Sequence, residues 1–461
     1  MLVPRLEKLI GIEVYATSSP GIGGVIRQSV EDFVVEEVLV DGSNAEINQT
    51  NGKAKRLPLG CHPTGNRYLL CVLVKQNWDT FMAIKAVAQQ LGIGMGRIHI
   101  AGIKDAKAIT AQHITIEGVS AEELQKVQVK DVTVRPLGYF HSKISSYFLL
   151  GNQFHTVIRE IKHPKSVVKK RVTRTIKELK EVGGVPNFFG HQRFGTVRPI
   201  THLVGKTIVK GDFEKAAMLF LAKPSPHEHP ESMYAREQLK ATRDFRQALK
   251  IFPKQLRYER LMLRHLAKKP CDFVGAFRKL PVKLRMLFPQ AYQSYLFNKF
   301  LSRRIKCGLT LNEAEVGDYV VHVEISGLPT HTMYKIAGIE TAAEINKAIQ
   351  AGRMYVAIPL IGFKQRPSQG PQGEIEKQIL EEENVSLESF KIAAMPEISA
   401  RGELRTTITP LNNFSLREVS DDLAKPSKCK VRVGFMLYRG SYATIVLREL
   451  MKTRNLIKAG F

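Results

Sequence analysis

Asp105 stands in the run Ala101-Gly102-Ile103-Lys104-Asp105-Ala106-Lys107, followed by Thr110 and Gln112. Lys104 and Lys107 place positive charge on either side of it, which favours an anion there and suits a nucleophile or general base. An Asp that only turns the chain is the competing reading. A second cluster is Asn187-Phe188-Phe189-Gly190-His191-Gln192-Arg193-Phe194-Gly195, with three Phe and two Gly in nine residues. Aromatic faces stack bases, and Asn, Gln and Arg bind base edges or phosphates; a core turn is the alternative. The third is Arg439-Gly440-Ser441-Tyr442-Ala443-Thr444, a strand end, a turn and a helix start. There Ser441 is the expected cap, and Tyr442 is a ring either laid over a ligand or packed into the core. Two tempting patterns fail. Gly205-Lys206-Thr207 lacks the upstream Gly of a phosphate loop, with Ile200 in its place, and Gly21-Ile22-Gly23-Gly24 follows no strand.

The balance of charge narrows the partner. Among 461 residues, 69 Lys and Arg face 43 Asp and Glu, for a net charge of +26. An excess of that size points to a polyanion, nucleic acid before an anionic membrane. Composition is otherwise that of a globular chain, 44% hydrophobic and 24% charged, which excludes disordered and collagen-like classes. No run approaches a spanning helix, and the first residues lack a signal peptide's apolar stretch. Cys61, Cys71, Cys271, Cys307 and Cys429 are scattered, and His227 and His229 form the only close histidine pair, among prolines. No disulfide framework or metal site is expected, and the protein reads as soluble and cytoplasmic.

The elements that must position these clusters follow from periodicity. Arg67–Val74 reads as a buried strand and Thr80–Leu91 as a helix with Thr80 at its cap. Gln112–Ile116 alternates as a half-buried strand, Val129–Val134 as another stopped by Arg135-Pro136, and Phe154–Ile158 as a third. Pro164–Lys180 is a helix with Val168, Val172, Ile176 and Leu179 on one face. Residues 161–180 carry eight Lys or Arg, a face that either tracks phosphates or is simply solvated. From 213 the texture turns helical and basic, short strands return over 313–361, Gly362–Gly373 is loop-like, and strand character resumes after Met395-Pro396. The expected division is residues 1–212 and 396–461 as one domain interrupted by 213–395.

Taken together, the clusters resemble the TruD family of tRNA pseudouridine synthases in its larger archaeal form. The matching stretches are Glu31-Asp32-Phe33-Val34-Val35-Glu36-Glu37, Lys75 with Trp78-Asp79-Thr80, Ala101 to Asp105 with Thr110 and Gln112, Gly151-Asn152-Gln153-Phe154, Asn187 to Gly195, Gln293-Ser294 with Phe297-Asn298, and Gly440 to Leu450. The resemblance implies an α+β pseudouridine-synthase catalytic domain with a mixed, largely antiparallel sheet, interrupted by an inserted TRUD domain. It implies isomerisation of uridine to pseudouridine at position 13 in the D arm of tRNA, with tRNA as partner and no cofactor. By the family pattern Asp105 is the nucleophile, and Phe33, Asn187 and Tyr442 contact the target nucleotide. The family often has Phe where Tyr442 stands, and a more basic run than Lys143-Ile144-Ser145-Ser146-Tyr147-Phe148.

The residues fit that reaction on their own chemistry. A redox-neutral isomerisation needs no external reactant. A carboxylate can attack the ribose, attack the base or remove a ribose proton, and the residues do not choose among the three. The target base must leave its stack, which makes Phe33, Phe189 and Tyr442 candidate rings. Lys104, which borders the nucleophile, and Arg27, just ahead of the first motif and the candidate to pair with Asp105, join the substrate-binding candidates. A non-catalytic RNA binder or tRNA chaperone on the same fold is the alternative, and it would not need Asp105.

Overall fold

The computed structural model describes residues 2–48, 58–65 and 67–461. In chain order the strands are β1 (Phe33–Leu39), β2 (Tyr68–Gln76), β3 (Ile98–Ile100), β4 (Ile109–Glu117), β5 (Val132–Phe140), β6 (Leu149–Ile161) and β7 (Val185–Pro186). They continue as β8 (Tyr319–Val323), β9 (Pro329–Ile336), β10 (Met354–Leu360), β11 (Glu403–Thr406), β12 (Ile408–Thr409), β13 (Asn412–Asp421) and β14 (Cys429–Tyr438). A large sheet runs β13-β14-β6-β1-β4-β2-β5, with β3 beside β4. Only β1 and β4 run parallel in it, so the sheet is mixed and the class is α+β.

β1 and β3 share one edge of β4: β1 meets Ile109–Ala111 and β3 meets Ile114–Ile116. The loop carrying Asp105 leaves β3 and enters β4 beside β1, at the centre of the sheet. That position explains a correction. β4 is not half-buried: Thr110, Gln112, His113 and Thr115 are wholly enclosed along with Ala111, Ile114 and Ile116. Loops cover both faces and bond to them, Gln112 Nε2 donating to Gly102 O at 3.1 Å on one and Ile144 N to Thr115 Oγ1 at 3.0 Å on the other. β5 likewise runs through Arg135-Pro136 instead of stopping there. A shift in register opposite Leu70 and Cys71 absorbs the proline, which an edge strand tolerates.

Two helix starts also differ from expectation. Asp79, not Thr80, caps Thr80–Gln90, its side chain accepting from Phe81 N and Met82 N. Asp binds the first free N–H groups well, which leaves the Thr80 hydroxyl for another partner. Helix Ala443–Met451 begins after Tyr442, and the Ser441 hydroxyl bonds Thr409 Oγ1 at 3.0 Å instead of capping. Helix Gly370–Glu383 starts inside the segment expected as loop.

Residues 213–306 form a series of helices ending in the long Val282–Lys306, and Gly205-Lys206-Thr207 lie within helix Thr201–Val209 packed against it. A second, antiparallel sheet has the order β11-β10-β8-β9. β11 joins this sheet, while β12, two residues on, pairs with β7 beside the Asn187 cluster. Residues 403–409 therefore stitch the second sheet to the first half of the chain. One hydrophobic core spans both, holding Phe33, Phe154 and Phe435 of the large sheet with Tyr292, Phe297 and Phe300 of the long helix. Among the described residues no helix is long and apolar enough to cross a membrane.

Candidate active site

The Asp105 loop is held at several points. Lys75 Nζ donates to Asp105 O at 2.6 Å, and the Thr80 hydroxyl bonds both O and N of Lys104 at 3.1 and 3.2 Å. With Gln112 on Gly102, these bonds fix the backbone and leave the Asp105 side chain 40% exposed. Its carboxylate meets Arg27, Nη2 to Oδ1 at 3.2 Å, across 78 residues of sequence. Arg27 in turn lies over the Phe33 ring, 4.2 Å from its centroid. Phe33 is 1% exposed and packs on Phe154 at 6.1 Å, so its accessible face carries Arg27 and not open space.

Lys104 does not face Asp105. Its ammonium is buried against Glu37, Nζ to Oε1 at 2.7 Å, and Glu37 Oε2 accepts from His113 N at 2.8 Å. Burial acts to raise the Glu37 carboxyl, but Lys104 and His113 outweigh it and hold the group below its ordinary range. The two neighbours part on the loop, Lys104 enclosed at 7% exposure and Asp105 left 40% exposed. Lys107 is exposed. The cation nearest the Asp105 backbone is Lys75, fully enclosed and pulled down to about 8, mainly by burial.

Asn187, Phe189 and Tyr442 form a second group. Asn187 and Phe189 line a cleft of about 940 Å³, together with Arg193, Arg405 and Arg439 from the first half and C-terminal strands, and Gln290 from the long helix. The Phe189 backbone is fixed by Asn298, which accepts from its N–H at 2.8 Å and donates to its carbonyl at 3.1 Å. Phe189 meets Phe297 edge-on at 5.6 Å and Tyr442 at 6.1 Å, with the Arg405 guanidinium 4.0 Å from its centroid. Gly190 lets the Tyr442 ring approach, since a Cβ there would sit 3.0 Å from Tyr442 Cδ1 and 2.8 Å from Thr444 Oγ1. Gly440 supplies the turn before Ser441 and Tyr442 at φ +80°.

Arg27, Phe33 and Asp105 are not among the cleft-lining residues. Leu149 joins the two groups, since it lines the cleft and its Cδ2 lies 3.5 Å from where a Cβ on Gly102 would be. Phe33, Ala108, Phe154 and Phe189 also share one core, with Tyr442 packed against it. The arrangement offers an exposed carboxylate held by a cation, beside a polar, aromatic cleft with several guanidinium groups. That suits a nucleotide turned out of a strand. Arg405 was not legible as a cleft residue, because an Arg on a short strand has no local pattern of its own; Arg439, in the turn after β14, opens the Gly440 cluster. Among the described residues no cluster of His, Cys, Asp and Glu could hold a metal ion.

Comparison with known proteins agrees across the chain's whole length. The family model for tRNA pseudouridine synthase D (TruD) matches residues 9–450. A Methanosarcina barkeri relative named "Probable tRNA pseudouridine synthase D" is 41% identical over 452 residues, 98% of each chain. One of the same name from Thermococcus onnurineus is 37% identical over 440 residues, 95% of this chain and 97% of its own. A TruD crystal structure from Methanosarcina mazei superposes with a TM-score of 0.83 at 39% identity, covering 99% of this chain and 100% of that one. With sequence, fold and motif order in agreement from end to end, this chain belongs to the tRNA pseudouridine synthase D (TruD) family.

Proposed function

We propose that this protein isomerises uridine to pseudouridine at position 13 in the D arm of tRNA, with Asp105 as nucleophile and without a cofactor. The observation that carries this reading is the exposed Asp105 carboxylate paired with Arg27 on a loop clamped at the centre of the sheet. In the reaction the N1–C1′ bond breaks, the uracil turns, and a C5–C1′ bond forms. C5 loses its proton and N1 gains one, so no external reactant enters. Arg27 sets the carboxylate's direction through the ion pair, and Phe33 supports Arg27 from below. Asn187 has a donor and an acceptor for the target nucleotide, and Phe189 and Tyr442 supply rings for the flipped base. Residues 213–395 act as an inserted TRUD domain that walls one side of the cleft. The five cysteines are free thiols, in keeping with a reducing cytoplasm.

The direct test maps pseudouridine in an unmodified tRNA transcript incubated with purified protein and no added cofactor. Conversion confined to U13 is the expected result. Tight tRNA binding with no pseudouridine at any position would make the protein a non-catalytic binder.

Phe33 gives a more selective test. Phe33→Leu keeps most of the volume, so stability should fall by less than ~1.5 kcal/mol. The ring beneath Arg27 is removed, and a cation–π interaction of ~1–2 kcal/mol converts to roughly a tenfold slower single-turnover rate. A rate loss that follows the melting temperature in proportion would reduce Phe33 to a packing residue.

Affinity for tRNA should fall linearly on a log–log plot as salt rises, because phosphate binding releases counterions. Helix Lys165–Glu181 buries Val168, Val172, Ile176 and Leu179 as its pattern requires. Of its cations, Arg171 already donates to Gly21 O at 2.7 Å and Arg174 pairs with Glu178 at 3.1 Å. Lys169 and Lys170 are exposed. Changing both to Gln should flatten the salt slope by about two, near 0.9 for each phosphate no longer neutralised. An unchanged slope would make this helix a solvated face.

A further inference from the structure

We propose that Arg405 is a positioning residue that locks the Asn187 carboxamide in one orientation toward the target nucleotide, an inference that rests on the pseudouridine-synthase reading above. Arg405 lies on β11, outside every motif that marked the site in the sequence. Its Nε donates to Asn187 O at 2.9 Å, and its Nη2 donates to Asn187 Oδ1 at 2.6 Å and to Gly440 O at 3.0 Å. The next two residues complete the grip. Asn187 Nδ2 donates to Thr406 Oγ1 at 3.0 Å, and Asn187 N donates to Thr407 O at 2.8 Å.

The hydrogen-bond inventory admits one amide orientation. The Thr406 hydroxyl donates its single proton to Ile408 O at 2.7 Å, so toward Asn187 it can only accept. A flipped carboxamide would press its NH2 against the guanidinium, donor against donor, and turn its oxygen to a hydroxyl with no proton left. As held, Asn187 keeps one Nδ2 hydrogen and one Oδ1 lone pair uncommitted, a donor and an acceptor side by side for a uracil edge or ribose. Asn187 is 7% exposed and lines the cleft, so those groups have little room to reorient.

Arg405 also differs from the chain's enclosed structural arginines. Arg304 is paired with Asp318, Arg448 with Glu7 and Arg236 with Glu259, each within 2.9 Å. Among the described residues no carboxylate lies within 4 Å of Arg405; its partners are carbonyls, an amide and the Phe189 ring. A single guanidinium thus touches Asn187, Phe189 and the carbonyl two residues before Tyr442. It does so from the strand that joins the second sheet to the first half of the chain.

The test is a double-mutant cycle on single-turnover rate, with tRNA Kd and melting temperature alongside. Arg405→Lys keeps the charge but loses the planar fork, and should slow the reaction about thirtyfold with Kd within about threefold of wild type. Because Arg405 acts through Asn187, the Asn187→Ala/Arg405→Lys double variant should be no more than about twofold slower than Asn187→Ala. Losses that multiply would overturn the proposal. If Arg405→Lys does not fold, Arg405→Gln takes its place in the same cycle: it should slow the reaction at unchanged Kd without adding to Asn187→Ala, and losses that multiply would overturn the proposal. A crystal structure of whichever Arg405 variant folds reads the amide directly, and an Asn187 side chain held as in the wild type would count against Arg405 whatever the activity. Absence of pseudouridine in the wild-type reaction would instead refute the reading of function, leaving the crystallographic comparison to judge the lock.

Discussion

Asp105→Asn is expected to lower pseudouridine formation more than a thousandfold, roughly 4 kcal/mol of barrier, while tRNA affinity stays within about threefold. The amide is nearly isosteric with the carboxylate, and its oxygen can still accept from Arg27. The Asp105 carbonyl is independent of the side chain and continues to receive Lys75, so the loop keeps its path. Folding should be little affected, because the side chain that changes is 40% exposed. What disappears is the negative charge of the proposed nucleophile; Glu37, the carboxylate bound by the adjacent Lys104, is committed to Lys104 and His113. Single-turnover assays beside filter binding separate the two effects. Residual activity above a tenth of wild type would remove Asp105 from the nucleophile's role.

Lys104→Met carries the next largest effect, and it separates support of the loop from chemistry. Methionine fills much of the space but leaves Glu37 buried and short of its closest cation. Breaking a buried pair from one side typically costs ~3–5 kcal/mol, so a marked fall in melting temperature is expected. The rate should fall as well, by about ten- to hundredfold for the folded protein, because a 1 Å displacement of a reacting group is costly. The double variant Glu37→Gln/Lys104→Met distinguishes the two. Gln keeps an acceptor for the His113 N–H but carries no charge, so most of the lost stability should return. The rate should not return with it, because the ion pair that anchors position 104, next to Asp105, to Glu37 is still missing. Full recovery of both would show that Lys104 only neutralises Glu37 and has no part in placing the nucleophile.

Several parts of the site were legible because they are local. The Gly102 to Asp105 run, the aromatic cluster at Asn187 and the turn at Gly440 are each a few residues long. Their composition exceeds what a turn or core strand requires. Arg27 could be named as the partner of Asp105 because it stands just ahead of β1, the strand that lies beside the start of β4. Other features were misread because the deciding interaction lies far away in sequence. Gln112 to Ile116 alternates like a half-buried strand, yet β4 sits well inside the sheet with both faces covered. Thr80 looked like a cap, but Asp79 takes the helix N–H groups and Thr80 ties down Lys104 across 24 residues.

Lys104 shows the limit most clearly. Adjacency to Asp105 suggested an electrostatic partner, but the ammonium is taken by Glu37, a residue of β1. Arg405 carried no sequence signal at all. It reaches Asn187 from 218 residues away because β11 and β12 bridge two sheets. The charge that seeks a polyanion, the α+β class and the short motifs follow from residue type and from neighbours within a few positions. Only the tertiary structure decided which cation meets which carboxylate and which groups the amide of Asn187 may bind. Those pairings depend on strand order and register, which long-range packing sets and a local pattern does not contain.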